Sequence, residues 1–163
     1  MPHVDFSTLP DAARVWVFGA AAPVTGAARD TLLATVDAHL AGWRAHGVPL
    51  RCARDWRDDR FLAIGVDEAA TGASGCSIDG LFHALRDVEA TVGTSLVGGS
   101  VVFWRDGAGT VSSGDRPSFR AAARAGEIAA HSPVFDTTVI NAGDWRHGFE
   151  RPAADSWHAK LLG

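Results

Sequence analysis

Lysine is nearly absent from this 163-residue chain: Lys160 is the only one, and arginine supplies the rest of its 15 cationic side chains. A Walker A loop needs a lysine just after its glycines to reach the β- and γ-phosphates. No glycine run here is followed by one, which excludes P-loop ATPase and GTPase chemistry. A lysine Schiff base would rest on Lys160 alone, a poor place for it. Cysteine is scarce too. Cys52 and Cys76 are too few for a disulfide framework and read as free thiols in a reducing compartment, so a cytoplasmic location is expected. There is no CxxC pair, no HxxxH spacing and no EF-hand loop, and the seven histidines are scattered, so no metal site is expected. The glycines of residues 93–99 lack the GxGxxG order, and no cofactor is expected. No stretch approaches the ~20 apolar residues of a spanning helix, so no membrane insertion is expected. The first ten residues carry no signal-peptide pattern.

Excess charge of one sign is missing as well. The net charge is −4, and the arginines at 51, 54, 57 and 60 alternate with Asp55, Asp58 and Asp59. A nucleic-acid binder shows a basic face or stripe, so no nucleic-acid partner is expected. What the chain does have is apolar residues at 47% and charged residues at 21%, enough to build a core without staples. Tyrosine is absent, yet there are 6 tryptophans.

Hydrophobic periodicity gives the organisation. Residues 13–20 (ARVWVFGA) read as a strand covered on both faces. A helix follows from the N-cap Thr25 to Gly47, with Leu32, Leu33, Val36, Leu40 and Trp43 as its apolar stripe. Strands over residues 50–56 and 61–66 form a hairpin around Arg57, Asp58 and Asp59. After a loop of small residues at 69–75, a second helix carries Ile78, Leu81, Phe82, Leu85, Val88 and Val92 and stops at Gly93. A strand at 100–105 turns through Asp106 and Gly107 toward a short fifth strand at 110–112. The order is β-α-β-β-α-β, and a single α+β domain over residues 1–163 with a ferredoxin-like core at about 13–105 is expected. Residues 106–163 form its extension: a short helix at 115–126, a strand at 134–140, and a tail bearing Trp145, Phe149 and Trp157.

The stretch with most chemical content runs from Gly72 to Asp79. It places Gly72, Ser74, Gly75, Cys76 and Ser77 where a helix begins. Free N–H groups and the helix dipole there favour an anion or a thiolate. Cys76 is the candidate nucleophile or redox thiol, and Gly72, Ser74, Gly75 and Ser77 are the candidate anion-binding residues. Ordinary capping accounts for each of them except the cysteine. His83 lies two helical turns from Cys76, too far to activate it directly. In the tail, Trp157 and His158 are the candidate partner-binding residues, because tryptophan is favoured at interaction hot spots.

The segments RVWVF, SGCSID, VFDTTV and PAADSWHAKLL together resemble a family of small uncharacterised bacterial proteins, over most of the chain. Members are sometimes labelled transport ATPases, a label that the missing Walker A lysine argues against. The resemblance implies no activity and no catalytic residue. The expected function is therefore that of a non-catalytic binding or accessory protein with a protein partner, as in a peripheral subunit of a larger assembly. The alternative is a thiol-dependent enzyme or redox protein using Cys76, and a third reading is an anion sensor using the backbone of residues 72–77.

Overall fold

Phe61 is where the two halves of the molecule meet, its ring 4.8–4.9 Å from those of Phe103, Phe135 and Phe149. A computed structural model of the chain describes residues 3–69 and 72–163. The first sheet has the order β1 (Arg14–Gly19), β5 (Phe61–Val66), β4 (Cys52–Arg57), with both pairings antiparallel. Every residue of β5 is buried, because both faces of this central strand are covered. Leu62, Ile64 and Val66 face α1 (Gly26–Ala41) and α2 (Gly75–Val92) together with Leu32, Val36, Leu40, Leu81 and Leu85. Phe61 and Ala63, one residue out of phase, point the other way.

On that other side lies a second sheet, of order β7 (Val111–Gly114), β6 (Val102–Arg105), β8 (Pro133–Phe135), β9 (Glu150–Pro152). Phe103 and Phe135 pack toward the first sheet, while Val102 and Val134 turn outward beneath α3 (Arg116–Arg124) and the C-terminal 3-10 turn Trp157–Leu161. The result is four layers: helices, sheet, sheet, helix. The protein is α+β. The short helix α4 (Ala142–His147) closes the end of the inter-sheet core with Trp145, which is fully buried.

Several expectations change. The first helix ends at Ala41 rather than Gly47, and Thr25 stands at its N-cap without a side-chain hydrogen bond. The residues beyond it form a hairpin of β2 (Arg44–Ala45) and β3 (Val48–Pro49). Its corner residues His46 and Gly47 have φ of 52° and 79°, the left-handed pair that a tight hairpin turn requires. The hairpin of β4 and β5 forms around Asp58 and Asp59, again both left-handed. Arg54, which interrupts the apolar alternation of β4, forks onto the Asp37 carboxylate of α1 at 2.7 and 2.9 Å. The strand expected at 134–140 stops at Phe135, because the Asp136 carboxylate accepts from the N–H of Thr138 and turns the chain.

The largest change concerns the ferredoxin-like core. The first three strands take the order expected of it, but residues 102–105 pair with β7 and β8 in the second sheet and not with β1. Gly19 shows why this strand lies across the layer and not beside β1. A Cβ there would sit 2.5 Å from the Phe103 ring, so β6 packs face-on against the end of β1. The two layers are also clipped by Arg60. Its buried guanidinium donates to the carbonyls of Ala20, Ala21 and Val111 and to the Ser113 hydroxyl.

Candidate functional site

The start of α2 is occupied by its own capping chemistry. Ser77 donates its N–H to the Ser74 hydroxyl at 3.2 Å, and the Ser77 hydroxyl accepts from the Ser74 N–H at 2.7 Å. Both serines are thereby committed to a capping box. The Ser77 carbonyl takes the indole N–H of Trp43 at 2.8 Å, which fastens α2 to the first hairpin. Gly72 lies against the Glu68 side chain, so a carboxylate stands beside the candidate anion loop. Residues 70 and 71 of that loop lie outside the described residues. Cys76 is exposed, while Cys52 is buried and its thiol donates to the Leu40 carbonyl at 3.5 Å. Burial pushes the Cys52 thiol up to about 12. Among the described residues, no group of three His, Cys, Asp or Glu side chains is placed to hold a metal ion. No described helix is long and apolar enough to cross a membrane.

The tail is placed differently from the expectation that Trp157 and His158 face a partner. His158 is 0% exposed, held between Phe119 and the half-buried Trp157, on which its ring stacks at 4.0 Å. Its Nδ1 is 2.8 Å from the Ser156 hydroxyl, and burial holds its imidazole down to about 4. The physical reason is apolar cover: Leu161, Ala153 and Phe119 close the outer face of the second sheet, and His158 lies among them. Trp157 is half-buried, with its indole nitrogen covered.

The feature that sequence reasoning did not find lies along the outer edge of β1. The inner edge of that strand pairs with β5. On the outer edge, the Val15 N–H donates to the Ile140 carbonyl at 2.9 Å and the Ala21 N–H to the Ser95 carbonyl at 3.1 Å. Alternate residues of a strand present their backbone to the same edge, so Val17 and Gly19 face outward between these two anchors. Among the described residues no backbone group pairs with them there. This open edge, about 10 Å long at ~3.3 Å per residue, opens into a cleft of about 380 Å³. Phe18, Phe82, Leu96, Val97, Val101 and Val139 are among its walls, and no charged residue lines it.

A second chamber of about 430 Å³ adjoins the first and shares the walls Gly99, Val101, Thr137 and Thr138 with it. Its walls carry Arg116, Arg120, Lys160 and Trp157, and no carboxylate. The Arg116 guanidinium sits 5.4 Å from the centre of the Trp157 ring. None of the residues from Gly72 to Ser77 lines either chamber. Of the sequence candidates, only Trp157 belongs to this site. A partial signal for it was present: Arg116 and Arg120 stand four residues apart, one turn of a helix, and the single lysine is three residues beyond Trp157. No family model, curated protein or solved structure matches the chain.

Proposed function

We propose that this protein is a non-catalytic binding protein that takes an extended segment of a protein partner onto the outer edge of β1. The observation that carries this reading is the unpaired stretch at Val17 and Gly19, facing an uncharged apolar cleft. An unpaired strand edge is a template for another strand, and proteins normally cover or charge it. Strand addition supplies affinity through main-chain hydrogen bonds, and side-chain pockets on alternate positions supply selectivity. The cleft beside β1 has both parts.

In this reading the first sheet is a ferredoxin-like sheet that lacks its last strand. In that topology the last strand pairs with the outer edge of the first, and here the partner's segment takes that position. The free thiols Cys52 and Cys76 suit a reducing, cytoplasmic setting.

Selection from a library of displayed random dodecapeptides tests the reading. Selected peptides should slow amide exchange at Val17 and Gly19, and Val17→Pro, which removes one of the free donors, should abolish binding while the protein stays folded. Selected peptides that leave both amides unprotected would overturn it.

A thiol-dependent activity at Cys76 is the second reading. It is favoured by the exposure of that side chain in the first turn of α2.

A further inference from the structure

Most arginines of this chain are engaged. Arg29, Arg51, Arg54, Arg57, Arg105 and Arg146 each meet a carboxylate at 2.6–3.2 Å, and Arg60 is spent on carbonyls. Among the described residues Arg14, Arg44, Arg86 and Arg124 also form no ion pair, but Arg116, Arg120 and Lys160 differ from them in lining one chamber. They come from two elements, α3 and the C-terminal 3-10 turn, and converge on one chamber. None of them forms an ion pair among the described residues. The nearest acid in sequence, Asp115, is turned to capping α3, where it accepts from the Ser118 N–H at 2.8 Å. All three are exposed, so water screens their mutual repulsion, and they gather in a protein whose net charge is −4 and whose acids outnumber its bases. An anion arriving from outside would meet three cationic side chains that no ion pair among the described residues holds.

We propose that this chamber is an anion subsite for acidic side chains that flank the strand bound on β1. The proposal rests on the strand-binding reading of the first chamber. The two chambers share Gly99, Val101, Thr137 and Thr138 as common walls, so a segment lying along Val17 and Gly19 reaches the three cations by passing over these residues. The expected ligand is an extended peptide with two characters: uncharged and apolar at alternate positions where it pairs with β1, and acidic at one end. Arginine offers forked hydrogen bonds that match carboxylate geometry, and Trp157 gives the adjoining apolar wall. The apolar cleft would supply the anchoring area and the cations would select the acidic partner and speed its approach.

The test uses capped synthetic peptides with the full-length protein. Two N-acetylated, C-amidated hexapeptides, Glu-Glu-Thr-Val-Thr-Val and Val-Thr-Val-Thr-Glu-Glu, cover both chain directions, and each has a twin with glutamine in place of glutamate. Affinities are read by NMR titration at two salt concentrations, with inorganic phosphate as a separate probe. The expected result is that one acidic peptide binds about tenfold or more tightly than its glutamine twin, and that added salt removes the difference. The double variant Arg116→Gln, Arg120→Gln should bring the acidic peptide down to the affinity of its twin and leave the twin unchanged. Lys160→Gln, on a separate element, should act in the same direction. Equal binding of acidic and glutamine peptides would overturn the subsite and leave strand binding standing. Failure of all four peptides would overturn both, and phosphate binding at these cations without any peptide binding would show a free-anion site in place of a peptide subsite.

Discussion

The Trp145 indole N–H donates to the Asp55 carboxylate at 2.9 Å across 90 residues of chain. Arg57 completes the arrangement. Its guanidinium lies 4.2 Å from the centre of the Trp145 ring, donates to the Trp145 carbonyl at 2.9 Å and meets Asp55 at 3.2 Å. One tryptophan is thus held on its face, its edge and its backbone. The contact ties α4 to β4 and closes one end of the inter-sheet core.

Replacing Trp145 by alanine should therefore cost about 3–5 kcal/mol, the range for truncating a buried large aromatic. Trp145→Phe keeps most of the apolar volume and loses the charge-assisted hydrogen bond, for about 1–3 kcal/mol. Urea unfolding monitored by circular dichroism measures both. Equal stability of wild type and Trp145→Phe would mean that the bond to Asp55 contributes nothing.

The two thiols should separate cleanly under iodoacetamide. Cys76 is exposed and should label in the native protein. Cys52 is buried, with its thiol pushed up to about 12, and should label only on unfolding. Rapid native labelling of both would contradict the packing of β4 against α1.

His158 makes stability depend on pH in a stated direction. Its folded value, about 4, lies below the ordinary 6.5, because burial disfavours the imidazolium. Between those values the unfolded chain binds more protons than the folded one. The contribution is fully present above pH 6.5 and is lost as the pH falls toward 4. The melting temperature of His158→Gln should fall less steeply than that of the wild type across this window, as read by calorimetry. Parallel curves would assign the acid sensitivity elsewhere.

Truncation after Glu150 should destabilise the protein. It removes Ala153, His158 and Leu161, all buried against the outer face of the second sheet, together with Trp157. Trp157→Ala alone should cost on the order of 2 kcal/mol, less than a fully buried tryptophan. Thermal melting distinguishes this from an unaffected midpoint, the result expected of a residue that packs only on a partner.

The sequence carried the local part of this fold well. The hairpin of β4 and β5 was legible because Asp58 and Asp59 separate two apolar runs, and α2 because its stripe repeats at helical spacing up to Gly93. The end of α1 was not, since Trp43 continues the helical stripe while His46 and Gly47 adopt a turn that periodicity does not register. The partner of residues 102–105 was equally hidden. Strand order alone fits a place beside β1, and only the contact of Phe103 with Gly19 and the pairings with β7 and β8 put it in another layer. The cleft was out of reach for a related reason: residues 15–19, Phe82, residues within 96–103 and residues 137–140 meet in it from four distant parts of the chain. Of its chemistry, Trp157, the lysine three residues beyond it and the one-turn spacing of Arg116 and Arg120 could be seen beforehand.

The layering has a consequence for synthesis on the ribosome. The strands of the first sheet and its two helices are made first, and their apolar stripes can cover one another at once. The opposite face, with Phe61 and Ala63, finds its cover in Phe103, Phe135, Trp145 and Phe149, which emerge later. At 5–20 residues per second, on the order of seconds pass with that face covered only in part, by Phe6 and Leu9 of the N-terminal segment. For that interval the nascent chain carries a sticky apolar sheet, and it is the period in which a chaperone would have most to hold.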